Sequence, residues 1–486
     1  MKNFQPSEYQ EAIARFVQSG EGNAIVNAVA GSGKSTTLTW LAGMIDGGIF
    51  VAFNSHIAKE LGAKLKRTGS SMSARTIHSV GNSAFYAQGI KTRPDASKYR
   101  RICKEYFKDF DGMDYAEKRN VAAACNKVLS LCMTNLVAFD DATGIDALCK
   151  KHAIDLDEAY FRFIPSLFAI GEREAEKGII SFDEMIFLPI RWGMALQTFK
   201  WVFVDEAQDM NACQQAIIAK ILDPEGRAIF VGDPSQSIYG FAGADTEGFW
   251  NIKRDFNCAE LPLSVCYRCA TSILAEAQEY VPHIQPAPNA DFGHVGTMKE
   301  TELAKKVQGD DLILCRLTAP LIGTAIELIR SGVPAKVRGR DIGRELKGII
   351  EKIEKATLHF DWANIAKLIE AERAERINFL VDKDALSSTI DAANDKFDAV
   401  LALVEGTKSP AECYRRIDAM FDDKNAFVWL STVHRAKGLE ADRVFILRPS
   451  KLPLERPGQL PWEWAQELNL TYTAITRAKS ELIYLQ

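Results

Sequence analysis

The chain has no stretch long and apolar enough to span a bilayer, and Met1-Lys2-Asn3-Phe4-Gln5-Pro6 is not the start of a secretory signal. Membrane-embedded functions are therefore set aside. The expected location is the cytoplasm of a bacterial or phage-infected cell, or the nucleus of a eukaryote. Metal-ligand spacing is also missing. The ten cysteines are scattered, and Cys266–Cys269 is the single Cys-x-x-Cys, with no second pair to complete a zinc ribbon. It reads as reduced thiols at a partly buried strand end. The seven histidines form no cluster, so no structural metal is expected. Repeats of fixed period, low-complexity tracts and Gly- or Pro-rich linkers are absent too. Charge is nearly balanced at −5, which excludes a protein that coats nucleic acid by bulk attraction but leaves room for a local groove.

What is present is a soluble globular composition, 47% hydrophobic and 25% charged, over 486 residues. That length exceeds one ordinary core and suggests about three domains. Apolar strand candidates alternate with helical stretches in two zones, the pattern of parallel α/β sheets. The first zone holds residues 24–27, 49–53, 75–77, 201–204 and 228–231. The second holds 261–265, 312–315, 335–337, 428–432 and 443–447. A charged, helix-like segment interrupts each zone, about 83–177 and 354–423. Asp111-Gly112-Met113-Asp114 and Asp140-Asp141-Ala142-Thr143-Gly144 punctuate the first. In the second, Ala371-Glu372-Arg373-Ala374-Glu375-Arg376 reads as a solvated helix face.

The most informative segment is Ala28-Val29-Ala30-Gly31-Ser32-Gly33-Lys34-Ser35, set between Asn23-Ala24-Ile25-Val26 and a helical stretch from Thr36. Strand, glycine turn and helix make a phosphate-binding loop, with Ala28 where the first glycine usually stands. Backbone N–H groups from Ala30 to Thr36 would wrap phosphate oxygens, helped by the positive end of the helix dipole. Lys34 would reach the outer phosphates and Ser35 would ligate Mg²⁺. Downstream, Trp201-Val202-Phe203-Val204 runs into Asp205-Glu206-Ala207-Gln208-Asp209. Acids at the carboxyl end of a buried parallel strand lie where ligands bind in open α/β sheets. Asp205 would hold Mg²⁺, and Glu206 would orient or deprotonate the attacking water. An acidic helix start would look similar; the phosphate loop upstream favours catalysis. A third segment, Val231-Gly232-Asp233-Pro234-Ser235-Gln236-Ser237-Ile238-Tyr239-Gly240-Phe241, offers Gln236 as a γ-phosphate sensor beside two aromatics. Core packing is the plainer reading of those rings.

Together these segments resemble the UvrD/Rep/PcrA-type superfamily 1 DNA helicases, and further matches follow in the family's order from Gln10 to Lys479. Gln10 resembles the glutamine that reads adenine. Phe53-Asn54-Ser55-His56 and Thr76-Ile77-His78-Ser79 resemble strand-contacting segments. Cys266-Tyr267-Arg268-Cys269 resembles Asn-Tyr-Arg-Ser, with cysteines at both flanks. Leu430-Ser431-Thr432-Val433-His434-Arg435-Ala436-Lys437-Gly438-Leu439-Glu440 and Leu470-Thr471-Tyr472-Thr473-Ala474-Ile475-Thr476-Arg477-Ala478-Lys479 complete the set. The last lies near the C-terminal end, so no tail domain is expected, and the short insertions suggest a viral or trimmed version.

The resemblance implies an α/β fold of two RecA-like P-loop domains with parallel sheets, each carrying a mostly helical insertion, with ATP held between the lobes. Its expected parts are 1–84 and 178–255 around insertion 85–177, then 256–353 and 425–486 around insertion 354–424. It implies ATP and Mg²⁺ as cofactors. Arg268 and Arg477 would serve as arginine fingers, Tyr267 would stack on adenine, and Glu440 would bond the ribose. Phe53, Tyr239 and Phe241 would stack on bases, and Asn54, His78, Thr432, His434 and Lys437 would make polar or phosphate contacts. Base–aromatic stacking of roughly 1–3 kcal/mol per base is comparable to the cost of opening duplex, so bases would move without being trapped. The implied activity is 3′-to-5′ translocation on single-stranded DNA and unwinding at duplex junctions, with replication or repair proteins as candidate partners. Two alternatives are a translocase that strips proteins and unwinds weakly, and an ATP-gated DNA-binding protein that does not travel. Gln10 and Tyr267 disfavour a GTPase, and no nuclease pattern is apparent.

Overall fold

A computed structural model of the protein describes residues 5–52, 55–152, 154–238, 248–382, 387–422 and 426–486. The chain divides into two compact units, Met1–Ser264 and Val265–Gln486.

The first unit is built on six parallel strands: β1 (Ala24–Ala28), β2 (Ile49–Ala52), β3 (Ser73–Thr76), β4 (Phe199–Val204), β5 (Leu222–Gly232) and β6 (Ala259–Leu263). Their order across the sheet is β3-β2-β4-β5-β1-β6. Both faces are covered, so the central strands are almost continuously apolar. Alternation then divides the side chains. Phe50, Phe203, Ile229 and Val26 pack with Ile13, Val17, Leu38 and Leu41 on one face. Val51, Val202, Val204 and Phe230 pack on the other, in a core that continues without a break through Phe85, Phe107, Leu129 and Phe168. The expected helical interruption is present as Lys98–Lys108, Tyr115–Asn135, Ala142–Lys151 and Ile164–Glu176. Its acidic punctuation marks helix starts, because Asp114 and Asp141 accept the N–H groups of Glu117 and Gly144 at 2.8 and 3.0 Å. A short pair, Arg93–Pro94 with Ile179–Ile180, closes this segment.

The second unit holds β7 (His294–Met298), β8 (Asp311–Cys315), β9 (Ala335–Val337), β10 (Val428–Thr432), β11 (Ala441–Leu447) and β12 (Ala478–Leu485). They are also parallel, in the order β7-β12-β11-β8-β10-β9. Four helices, Arg340–Ala356, Ile365–Asp382, Ser387–Val404 and Pro410–Met420, interrupt the strands. Ile350, Ile369, Val400 and Ile417 pack with Ile313 and Leu430 in one core.

Three strand expectations need correction. Of the segment 261–265, expected in the second zone, residues 261–263 belong to β6, which pairs with β1, Ala24 opposite Ala259 and Ala28 opposite Leu263, and completes the first sheet; Val265 lies in the second unit, paired with Gln285. β7 and β12 were not anticipated. His294-Val295-Gly296-Thr297-Met298 is an edge strand with no buried residue, and β12 starts inside the Thr-Arg-Ala-Lys segment, where Lys479-Ser480-Glu481 hides the apolar run Leu482-Ile483-Tyr484-Leu485 that follows. Ile77 is helical rather than extended, because Thr76 caps the helix Ile77–Ala87 by accepting the N–H of Ser79. Among the described residues, no helix is long and apolar enough to cross a membrane. No group of three or more His, Cys, Asp or Glu residues there could hold a metal ion.

Candidate functional site

In the first unit β4, β5 and β1 are neighbours and run the same way, so their carboxyl ends share one sheet edge. β1 ends in the glycine loop. Gly31 and Gly33 have φ of 67° and 78°, a left-handed backbone that residues with a Cβ rarely adopt. Gly33 begins the helix Lys34–Leu41 without a side-chain cap, so no side-chain oxygen competes for the first-turn amides. An anion fits this helix end.

β4 ends at Asp205. Ser35 Oγ donates to Asp205 Oδ2 at 2.9 Å, and the Glu206 N–H donates to Asp205 Oδ1 at 3.0 Å. Burial, then the neighbouring Glu206, push the Asp205 carboxyl up to about 6; Lys34 and the Ser35 hydroxyl pull the other way. Asp233, at the end of β5, is also raised by burial and also feels Lys34. The Lys34 ammonium therefore acts on carboxylates from two strand ends. Glu206 has φ 54°, a conformation strained for a residue with a side chain and concentrated at functional sites.

A residue that sequence reasoning passed over ties these parts together. Gln208 Nε2 donates to Glu206 Oε2 at 2.6 Å, and Gln208 Oε1 accepts the Asp233 N–H at 3.0 Å. Gln236 Nε2 then donates to Asp233 Oδ2 at 2.6 Å. The candidate base and the candidate phosphate sensor are thus joined through Gln208 and Asp233. Gly232 makes room, since a Cβ there would lie 2.4 Å from Gln208 Oε1. Gln10 is buried beside the glycine-loop helix. Its Nε2 donates to Thr37 Oγ1 at 2.8 Å and its Oε1 accepts the Ser7 N–H at 2.9 Å. The structure thus brings together Gln10, residues 30–36, Asp205, Glu206 and Gln236.

In the second unit three distant segments converge. Arg268 Nε pairs with Glu440 Oε2 at 2.7 Å, and its Nη1 donates to the Thr476 carbonyl at 3.1 Å. Lys479 Nζ lies 3.1 Å from Glu440 Oε1. Arg477 is 1% exposed and donates to the carbonyls of Thr473 and Leu439 at 3.0 and 3.2 Å. Tyr267 is 48% exposed, its ring presented outward.

The adjacent strands β8 and β10 end in a second group, in which the expected His434 meets Arg316, Arg456 and Glu467, three residues absent from the sequence reading. Arg316 forks onto Glu467, with Nη2 to Oε1 at 2.6 Å and Nε to Oε2 at 2.9 Å. Arg456 bonds Asp391 at 2.8 Å and lies 3.8 Å from Glu467. His434 sits among these arginines. Burial first, then Arg316, Arg456 and Arg435, hold its imidazole down at about 3, so it is neutral at physiological pH. Thr432 is buried at the end of β10, and Lys437 follows the turn Val433–Ala436.

His78 starts the helix after β3. Its ring meets Phe182 edge-on, with centroids 6.2 Å apart, and Phe182 is 51% exposed. Burial lowers the His78 pKa, while Asp183, which accepts from Ser130 Oγ at 2.6 Å, raises it. Phe182 was not anticipated, because its closeness to His78 comes from the fold, the two lying far apart in sequence. Phe53, Asn54, Tyr239 and Phe241 lie outside the described residues.

Residues 9–257 match the UvrD/REP helicase N-terminal domain, and residues 349–485 match the UvrD-like helicase C-terminal domain. The ATP-dependent DNA helicase PcrA of Leuconostoc citreum is 25% identical over 294 residues, covering 56% of this chain and 38% of that protein. DNA helicase II of Haemophilus influenzae is 25% identical over 294 residues, covering 54% and 38%. The ATP-dependent DNA helicase Rep of Buchnera aphidicola is 31% identical over 115 residues, covering 21% and 17%. The chain thus spans about two-fifths of the length of the first two of these relatives.

Proposed function

Because the chain belongs to the UvrD/REP helicase family, we propose that it is an ATP-dependent translocase on single-stranded DNA that unwinds duplex junctions in the 3′-to-5′ direction. The observation that carries this reading is the joined set at the first sheet's edge: Ser35 on Asp205, Lys34 facing Asp205 and Asp233, and the Gln208 link from Glu206 to the Gln236 segment. The polarity rests on the likeness of Gln236-Ser237-Ile238 and its neighbours to the UvrD-type segment.

In this reading the glycine-loop amides and Lys34 bind the phosphates of ATP. The Ser35 hydroxyl and the buried Asp205 carboxylate suit Mg²⁺, since a cation would relieve the charge that burial disfavours there. When bound, the ion would neutralise phosphate oxygens. Glu206, held by Gln208, aims the attacking water. Gln236 senses the terminal phosphate, and Arg268 and Arg477 offset charge on the transferring phosphoryl group, a role worth on the order of 10³–10⁵ in rate. Tyr267 stacks on the base, Gln10 orients the adenine side of the site, and Glu440 takes the ribose. The strand is contacted by His78, Thr432, His434 and Lys437, with Phe53, Asn54, Tyr239 and Phe241 assigned from the resemblance. Phe182 joins them as an exposed ring beside His78. Residues 85–177 and 354–424 are assigned as the two insertions.

The test is ATP-dependent unwinding of matched substrates with a 3′ or a 5′ overhang. Opening of the 3′-tailed substrate alone is expected, and Lys34→Ala should abolish it while the melting transition persists. Equal opening of both tails would refute the polarity. Full unwinding by Lys34→Ala would refute the site. Protein clearance without unwinding would favour the stripping alternative, and turnover independent of strand length would favour a stationary binder.

A further inference from the structure

Arg268, Glu440 and Lys479 form a row in which one carboxylate serves two cations. Glu440 Oε2 takes Arg268 Nε at 2.7 Å, and Glu440 Oε1 takes Lys479 Nζ at 3.1 Å. Arg268 Nη1 also donates to the Thr476 carbonyl at 3.1 Å. Donors on two of its nitrogens are thus engaged, which fixes the plane of the guanidinium. The backbones beneath these groups are tied together. Glu440 directly precedes β11 and Lys479 follows the first residue of β12, adjacent strands in which Ala441 pairs with Ala478. The Ala441 N–H donates to the Arg477 carbonyl at 3.1 Å, and the Ala270 N–H, just past Arg268, donates to the Lys479 carbonyl at 2.7 Å. The spacing of the three charges is therefore set by the fold rather than by a chance meeting of surface side chains.

Lys479 touches neither nucleotide nor strand in the proposed function, yet it changes what Arg268 can do. Arg268 and Glu440 alone cancel one another, and a guanidinium so neutralised offers little field to a phosphoryl group. Lys479 adds a second cation to the single carboxylate and returns the set to net positive charge. Asp442 Oδ1 lies 3.9 Å from Lys479 Nζ, but its side chain is 82% exposed and water screens it. Lys479 also occupies Oε1, so the carboxylate presents Oε2 to Arg268 in one orientation. Each carboxylate oxygen keeps a second lone pair, which leaves Glu440 able to accept from a ribose hydroxyl.

We propose that Lys479 is a positioning residue for Arg268, acting through Glu440: it fixes the carboxylate that holds the guanidinium and restores the positive charge which that carboxylate cancels. The inference rests on the reading of Arg268 as the group that meets charge on the transferring phosphoryl group. The Glu440 and Lys479 side chains are 41% and 40% exposed, so the pair is partly screened and its effect is modest, about fivefold at most. Charge is what matters at this position. An arginine there should serve as well as the lysine, and a neutral side chain of similar length should not.

The test compares the full-length wild type, Lys479→Met and Lys479→Arg in two measurements. In steady-state ATP hydrolysis, kcat of Lys479→Met should fall by about threefold to fivefold with the melting temperature unchanged, and Lys479→Arg should stay close to wild type. In the second measurement the chain is treated with phenylglyoxal, and the rate of modification at Arg268 is read by peptide mass. The reagent attacks the deprotonated guanidine, so loss of the neighbouring cation should slow Arg268 in Lys479→Met by a similar factor, and Glu440→Gln should quicken it. The proposal is overturned if Lys479→Met leaves kcat unchanged, if it labels Arg268 as fast as wild type, or if Lys479→Arg is equally impaired. A wild type that hydrolyses no ATP would instead sink the helicase reading, and the order of labelling rates then decides this inference alone.

Discussion

Asp205→Asn should make the nucleotide-free protein more stable while removing its ATP turnover. Asp205 is 6% exposed, and its carboxyl is raised from 3.8 to about 6 by burial and by Glu206. A rise of about two units corresponds to about 3 kcal/mol at roughly 1.4 kcal/mol per unit. The carboxamide keeps the shape, can still accept from the Ser35 hydroxyl or the Glu206 N–H, and carries no charge to desolvate. The sign follows from linkage. Above about pH 6 the carboxyl is ionised in both folded and unfolded chains, and the folded state bears the full penalty. As pH falls through about 6 the folded form takes up a proton first, and the penalty fades. Below the ordinary value of 3.8 both forms are protonated and none remains. The variant's advantage should therefore be largest at pH 7.5 and close to zero by pH 4. At about 2–4 °C per kcal/mol for a domain of 150–250 residues, it should appear as a rise in melting temperature on the order of 5 °C or more. Thermal melts of both proteins across this pH range, with ATPase assays at pH 7.5, decide it. A variant that melts lower at pH 7.5, or an advantage that persists unchanged in acid, would refute the reasoning.

Gly232→Ala places a methyl group 2.4 Å from Gln208 Oε1 and 3.0 Å from Phe249. Overpacking of this kind typically costs about 1–3 kcal/mol, and displacing Gln208 should also lower turnover, read by urea melts and steady-state hydrolysis. Arg316→Ala leaves the Glu467 carboxylate, 3% exposed on its side chain, with only Arg456 at 3.8 Å and the Leu454 N–H at 3.2 Å, and should cost about 3 kcal/mol, the low end for a broken buried pair. Adding Glu467→Gln should recover part of that loss, measured as a double-mutant cycle in denaturant. Phe182→Ala removes a ring that is 51% exposed, so the melt should barely move. Affinity for single-stranded oligonucleotides should fall by about 1–3 kcal/mol, as expected for one stacked base, in a fluorescence-anisotropy titration.

The glycine loop and the acids after β4 were legible because their chemistry is local. A strand, a turn that needs left-handed backbone and a helix start lie within a dozen residues, and no distant partner is required to recognise them. Most central strands were legible for a related reason, since burial on two faces writes an unbroken apolar run. What failed depends on distance. β6 looks like any short strand, and only its pairing with β1, more than two hundred residues earlier, decides its sheet. β7 carries too little apolar character to register, being an edge. Gln208 stood in plain view within the acidic segment, but its bonds to Glu206 and Asp233 come from two different strand ends. Arg316 and Glu467 are 151 positions apart, and either alone resembles a surface charge.

The unbroken core from Val51 and Phe230 to Phe107 and Phe168 limits how the first helical insertion can behave. A segment that shares its packed interior with the sheet has no seam at which to hinge, and Lys98, Tyr99 and Glu184, mutually bonded and buried, rivet the junction. It should therefore melt together with the sheet that carries the glycine loop. Cut out on its own, it would expose the very side chains that keep it folded.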